Sequence, residues 1–151
     1  MTDPSFDEVY RTARPGLVRL AYLIVGSAAV AEELVQEAFL RLHSRFAGVE
    51  NPGAYLRVTV VRLCTTAKRH DAIEADRVQR AHERVEPVEH GIDETWDAIQ
   101  RLEPDRRAVV VLRYYEDLPH EEIGQLLGCP VATVRTRVHR ALADLRKELE
   151  P

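Results

Sequence analysis

Leu118-Pro-His-Glu-Glu-Ile-Gly-Gln-Leu-Leu-Gly-Cys-Pro-Val-Ala-Thr-Val-Arg-Thr-Arg-Val-His-Arg-Ala-Leu142 reads as a short helix, a glycine turn and a longer helix that carries arginines. Pro119 suits a first helical turn, where its missing N–H is not needed. Glu121 and Glu122 sit well near the positive end of the helix, and Ile123, Leu126 and Leu127 give it one apolar face. Gly128 permits a left-handed turn. Beyond it, Val134, Val138, Ala141, Leu142 and Leu145 recur at helical spacing and predict one buried stripe. At about 100° per residue, Arg135, Thr136, His139 and Arg140 project from the other side. Such a face on the second helix of a helix-turn-helix enters a DNA major groove. The competing reading is a solvated surface helix. Against it, residues 130–147 hold five basic side chains and one acid, while the whole chain is net −4. Positive charge is therefore concentrated where docking needs it.

Composition narrows the rest. With 151 residues, 45% hydrophobic and 30% charged, the chain falls in the range of a globular protein of one domain or two small ones. The apolar stretch at residues 17–25 is interrupted by Arg19 and too short to cross a bilayer. Met1-Thr-Asp-Pro-Ser-Phe-Asp-Glu8 is acidic where a secretory signal is basic, so a cytoplasmic protein is expected. Cys64 and Cys129 lack CxxC spacing, which supports neither a disulfide scaffold nor a cysteine-rich zinc site.

Charge also divides the chain. Residues 71–95 hold three basic and eight acidic side chains, few large apolar ones, and both Pro87 and Gly91. That composition predicts a flexible acidic linker. The expected fold is all-α: a helical domain at residues 1–70, the linker at 71–95, and a helix-turn-helix domain at 96–151.

Three main helices are expected in the first domain. The first runs over about 7–25, kinked or divided at Pro15-Gly16. Ser27 is the expected N-cap of the second, whose stripe is Val30, Leu34, Val35, Ala38, Phe39 and Leu42, with Glu32, Glu33, Gln36 and Glu37 on the other side. Asn51-Pro52 opens the third. Tyr55, Leu56, Thr59, Val60 and Leu63 are expected to face inward from it, and Arg57, Arg62, Lys68 and Arg69 outward. The β-branched run at 58–61 makes a strand the competing local reading.

Ala31-Glu-Glu-Leu-Val-Gln-Glu-Ala-Phe39 followed by Asn51-Pro-Gly-Ala-Tyr-Leu56 resembles region 2 of bacterial RNA polymerase sigma factors. Leu102-Glu-Pro-Asp-Arg-Arg-Ala-Val-Val-Val-Leu-Arg-Tyr-Tyr-Glu-Asp-Leu118 and the helix-turn-helix after it resemble region 4. A chain with only these two regions is similar to the extracytoplasmic-function (ECF) class.

The resemblance implies binding without catalysis and without a cofactor or metal. Its partners would be core RNA polymerase, promoter DNA and an anti-sigma factor. It assigns polymerase docking to Glu32, Glu33, Leu34, Gln36 and Glu37, where an acidic, partly apolar face suits a basic helical partner. It assigns the downstream promoter element, held as an unstacked single strand, to Asn51, Tyr55, Arg57, Arg62, Lys68 and Arg69. Tyr55 stands where the family most often has tryptophan, and a plain core role competes with the functional one. Arg62 stands where many members have asparagine. The upstream element falls to Arg135, Thr136, His139 and Arg140, with Arg137 gripping a phosphate or a helix neighbour. Gly124 replaces the usual alanine, and Pro130 a frequent capping serine.

Enzyme readings lack their motifs. His120-Glu121-Glu122-Ile123-Gly124 has no second histidine for HExxH, and no Glu-x-x-His pair completes a di-iron set. The alternative from another class is a LuxR-like helix-turn-helix regulator acting as a homodimer on duplex operators. It needs a sensory or phosphoacceptor N-terminal domain, which residues 31–39 and the arginines after them do not provide.

Overall fold

The computed structural model describes residues 4–66 and 94–150. These residues form two compact helical units. Among the described residues there is no strand, and no helix is long and apolar enough to cross a membrane.

The N-terminal unit contains α1 (Phe6–Val25), α2 (Ala28–His43), a 3₁₀ turn (Phe46–Gly48) and α3 (Pro52–Thr65). Ser5 caps α1 by accepting from the Glu8 N–H at 3.2 Å. Gly26, at φ 76°, ends the helix and donates to the Tyr22 carbonyl, a left-handed stop that glycine takes without a Cβ penalty. Ser27 follows at once, fully buried, and accepts from the Val30 N–H at 3.2 Å. One short turn thus closes α1 and opens α2 as an antiparallel neighbour.

Contrary to expectation, Pro15-Gly16 does not divide α1. Both residues are exposed, as is Arg11, whose carbonyl loses its donor to Pro15, so the missing helical bond falls on the side of α1 open to water. The α2 stripe is shifted by one residue at its start, with Ala31 buried and Val30 half-buried. In α3 the helix reading holds against the strand, but the buried side is Leu56, Val60, Val61, Leu63 and Cys64. Tyr55 and Thr59 are half-buried. Phe39, Ile24, Leu34, Leu42 and Leu56 are among the largest side chains sealed in this core. Phe6 meets Phe39, His43 and Phe46 edge-on at centroid distances of 6.2, 4.9 and 5.6 Å, pinning the 3₁₀ turn to the start of α1.

The C-terminal unit contains α4 (Glu94–Gln100), α5 (Pro104–Val110) running into a π-helical turn (Val111–Tyr115), α6 (His120–Leu127) and α7 (Val131–Leu149). Glu94 and Thr95, placed in the linker by composition, belong to α4; the rest of that segment lies outside the described residues. Ala98, Ile99, Leu102, Val110, Ala141 and Leu145 form an apolar cluster, with Leu142 packed against it. Arg107 is fully buried, and its Nη1 donates to the Gln100 and Leu102 carbonyls at 3.2 Å each. A guanidinium here meets acceptors at the negative end of α4, the favourable end for a cation.

The π turn shows in the Glu116 N–H bonding the Val111 carbonyl, five residues back, at 3.1 Å. It leaves Tyr114 and Tyr115 exposed. Asp117 then takes φ 55°, and the Leu118 N–H returns to the Leu112 carbonyl. Pro119 and Pro130 occupy the N-cap positions of α6 and α7, one residue before the first helical position expected for Pro119.

Candidate nucleic-acid and protein interfaces

The helix-turn-helix consists of α6, a turn at Gly128 (φ 68°) and α7. Gly124 allows the close approach at this turn: a Cβ there would lie 2.8 Å from the Cys129 carbonyl oxygen. The Cys129 N–H in turn donates to the Gly124 carbonyl at 3.0 Å.

Val134, Val138, Ala141 and Leu145 bury one side of α7, and Arg135, Thr136, His139 and Arg140 are exposed on the other. Among the described residues neither Arg135 nor Arg140 is held in an ion pair. Asp144, four residues after Arg140 and able to reach it on a free helix, pairs with Arg106 of α5 instead. Glu148 pairs with Arg101 at 2.7 Å. The acids of α7 thus face the scaffold, and the exposed face keeps its positive charge. Arg137 is half-buried, with Nη1 3.9 Å from Cys129 Sγ, and reaches back to the turn. Ala132, exposed on the same face as Arg135 and Thr136, went unnoticed in the sequence because alanine carries no charge signal.

In the N-terminal unit, Tyr55 and Arg62 come together in a shallow depression of about 430 Å³, lined also by Arg41, Ala54, Val58 and Thr59. Arg41 is an addition from α2 that periodicity on α3 could not reveal. Arg57, half-buried, is not in this depression. Asn51 is exposed, but its Oδ1 accepts from the Ala54 N–H at 3.1 Å and caps α3. Lys68 and Arg69 lie outside the described residues.

On α2, Glu32, Glu33 and Gln36 are exposed and Glu37 is half-buried. Glu37 binds Arg41 at 3.1 Å, and Glu32 approaches Arg14 at 4.0 Å. Leu34 is fully buried, which corrects its expected place on the docking face: it packs the core between the helices. Leu40 stands out on the surface instead, 63% exposed. It lies seven residues after Glu33 and four after Gln36, hence on their face. The sequence signal was present, since Leu40 falls outside the buried stripe.

Residues 9–72 match the family Sigma-70 region 2, and residues 92–145 match Sigma-70, region 4. An RNA polymerase sigma-E factor of Streptomyces antibioticus is 34% identical over 96% of this chain and 84% of its own length. The RNA polymerase sigma-E factor of Streptomyces coelicolor is 32% identical over 95% and 85%, and the ECF RNA polymerase sigma factor SigW of Bacillus subtilis is 28% identical over 96% and 89%. Among solved structures, the sigma factor RpoE from Bartonella quintana, determined in complex with the anti-sigma factor NepR, shares the fold. It has a TM-score of 0.68, 19% identity and 96% coverage of both chains.

Proposed function

The chain belongs to the sigma-70 family as an RNA polymerase sigma factor of the ECF class, and on that premise we propose how its two units divide the work. The match of residues 9–72 to region 2 leaves the LuxR-like alternative without support. The factor acts in the cytoplasm by binding rather than by catalysis, bringing core RNA polymerase to promoters and starting transcription there.

Upstream-element recognition rests on α7. The observation that carries this reading is the separation of charge on that helix: its acids pair with Arg101 and Arg106, while Arg135 and Arg140 stay exposed beside Thr136 and His139. An arginine can bond guanine O6 and N7 with both arms, at about 1–3 kcal/mol of discrimination per good pair. Arg137, turned toward Cys129, supports the turn and lies near enough to the helix start to reach a phosphate.

Downstream recognition falls to the depression around Tyr55. An aromatic side chain sharing a depression with Arg41 and Arg62 suits an unstacked base and its phosphates. Lys68 and Arg69 would extend the phosphate track, Arg57 would contact it from the adjacent side, and Asn51 contributes by fixing the start of α3. Polymerase docking uses Glu32, Glu33, Gln36, Glu37 and Leu40, an acidic surface with an apolar residue at one end that fits a basic amphipathic helix. An anti-sigma protein, such as the one the Bartonella quintana factor was solved with, would inhibit by covering these same faces.

Reconstitution with core RNA polymerase tests the scheme. Start-site mapping after induced expression gives the promoter elements, and run-off transcription from them should require the chain. Arg135→Ala and Arg140→Ala should each weaken binding by about 1–3 kcal/mol on the mapped promoter and relax base preference at the upstream element. Equal losses on mapped and scrambled duplexes would reduce α7 to a phosphate contact.

A further inference from the structure

The proposed DNA-facing side of α7 carries two methyl groups beside Arg135, and one hydrogen bond decides what the second of them, on Thr136, offers outward. Thr136 Oγ1 donates to the Ala132 carbonyl at 3.0 Å, one turn earlier in the helix. Both residues are exposed. A threonine hydroxyl has a single proton to donate, and here it is committed to the backbone. What Thr136 offers outward is its γ-methyl, together with oxygen lone pairs. Ala132 adds a β-methyl on the same face, and Arg135 flanks the pair.

Ala132 and Thr136 lie in the N-terminal half of α7, the part of a recognition helix that reaches base edges. In the major groove one base presents an apolar group, the 5-methyl of thymine, and alanine and threonine methyls are its usual protein contacts. From the committed Thr136 hydroxyl and the two adjacent methyls, we propose that Ala132 and Thr136 form a thymine-methyl reader within the upstream-element surface. This rests on the assignment of α7 to upstream DNA. It adds the base class read and the group that reads it: a 5-methyl pyrimidine, recognised by shape and desolvation beside arginines that recognise guanine or phosphate.

The neighbours limit the alternatives. An Ala132 side chain can neither donate nor accept, so no polar reading is open at that position. His139 and Arg140 lie one turn further along and retain their own polar contacts. A methyl-to-methyl contact removes about one methylene equivalent of apolar surface from water. At about 0.8 kcal/mol, that corresponds to roughly fourfold in affinity.

The test uses the full chain with core RNA polymerase on the mapped promoter duplex, with each upstream-element thymine replaced singly by deoxyuridine, which lacks only the methyl. At one position wild type should lose roughly fourfold in affinity. Thr136→Val, which keeps the methyl and removes the hydroxyl, should retain that preference for thymine. Thr136→Ser, which keeps the hydroxyl and removes the methyl, should reduce it, and Thr136→Ser combined with Ala132→Gly should abolish it. No uracil penalty at any position, on a duplex that wild type still distinguishes from scrambled DNA, overturns the proposal and leaves the α7 assignment standing. Loss of preference in Thr136→Val with retention in Thr136→Ser overturns it in favour of hydroxyl reading. Failure of wild type to distinguish mapped from scrambled upstream DNA removes the assignment itself, and the proposal with it.

Discussion

Gly124→Ala sets two effects of opposite sign against each other in α6. An alanine in a helix interior gains about 0.8–1.0 kcal/mol over glycine in propensity. The new Cβ would sit 2.8 Å from the Cys129 carbonyl oxygen, against an ordinary contact beginning at 3.4 Å. That oxygen is backbone, so no side-chain rotation relieves the overlap. Cys129 also precedes the Pro130 cap of α7 and donates to the Gly124 carbonyl. A shift of its peptide therefore displaces α7 and strains a turn hydrogen bond. Overpacking of this kind costs about 1–3 kcal/mol, and weakening the bond adds about 1 kcal/mol. Steric cost wins, with a net destabilisation of about 1–3 kcal/mol. In a unit of this size each kcal/mol lowers the melting temperature by about 4–8 °C. Circular dichroism melts of wild type and variant at equal concentration measure the difference, and promoter affinity reports the displaced helix. A melting temperature equal to or above wild type would refute the close approach, and with it this account of why glycine stands where the family usually has alanine.

Other substitutions probe the remaining parts. Arg107→Ala should destabilise the C-terminal unit by about 3 kcal/mol or more, because two charge-assisted bonds are lost and a cavity opens; an unchanged melt would remove the buried guanidinium from the stability account. Leu40→Asp, alone or with Glu33→Lys, should cut affinity for core polymerase while the helix content stays the same, since both side chains are exposed on α2; wild-type affinity in a pull-down with core enzyme would show that face to be merely solvated. Arg106→Ala should release Asp144 to approach Arg140, lowering promoter affinity by about 0.5–1 kcal/mol. The same change should flatten its salt dependence, whereas an unaltered salt slope would mean that Asp144 does not reach the reading face.

Much of this architecture was legible because local signals and tertiary structure agree. Ser27, Asn51-Pro52 and Gly128 mark helix ends through bonds that involve neighbours three or four residues away, so sequence spacing captures them. The stripe on α7 was readable for the same reason: its 19 residues supply enough periods to fix the phase. In α3, 14 residues rich in apolar and β-branched side chains left the phase ambiguous. The buried side proved to run through Val61 and Cys64, leaving Tyr55 and Thr59 at its edge. Leu34 was placed on the docking face by the family resemblance, against its own position in the buried stripe, and the stripe position is the one the fold obeys. Neither the π turn at 111–115 nor the burial of Arg107 has a sequence signature. The first depends on a residue accommodated between α5 and α6, and the second on acceptors at the end of a different helix.

In the proposed scheme, charge separates the two tasks of the chain. With a net charge of −4, the chain as a whole gains nothing from long-range attraction to DNA, so binding must come from local separation of sign. On α7 that separation is structural: Arg101 and Arg106, from the scaffold, take the carboxylates of Glu148 and Asp144. These half-exposed pairs contribute little to stability by themselves. Their larger consequence is positional, because a carboxylate held toward the scaffold is withheld from Arg140. The same logic runs the other way on α2. Arg41, drawn by Glu37, lines the depression beside Tyr55 and Arg62, and Glu33 and Gln36 remain exposed beside Leu40. In each unit an ion pair between elements or turns sorts the charges, which is what the proposed division of these surfaces between nucleic acid and protein requires.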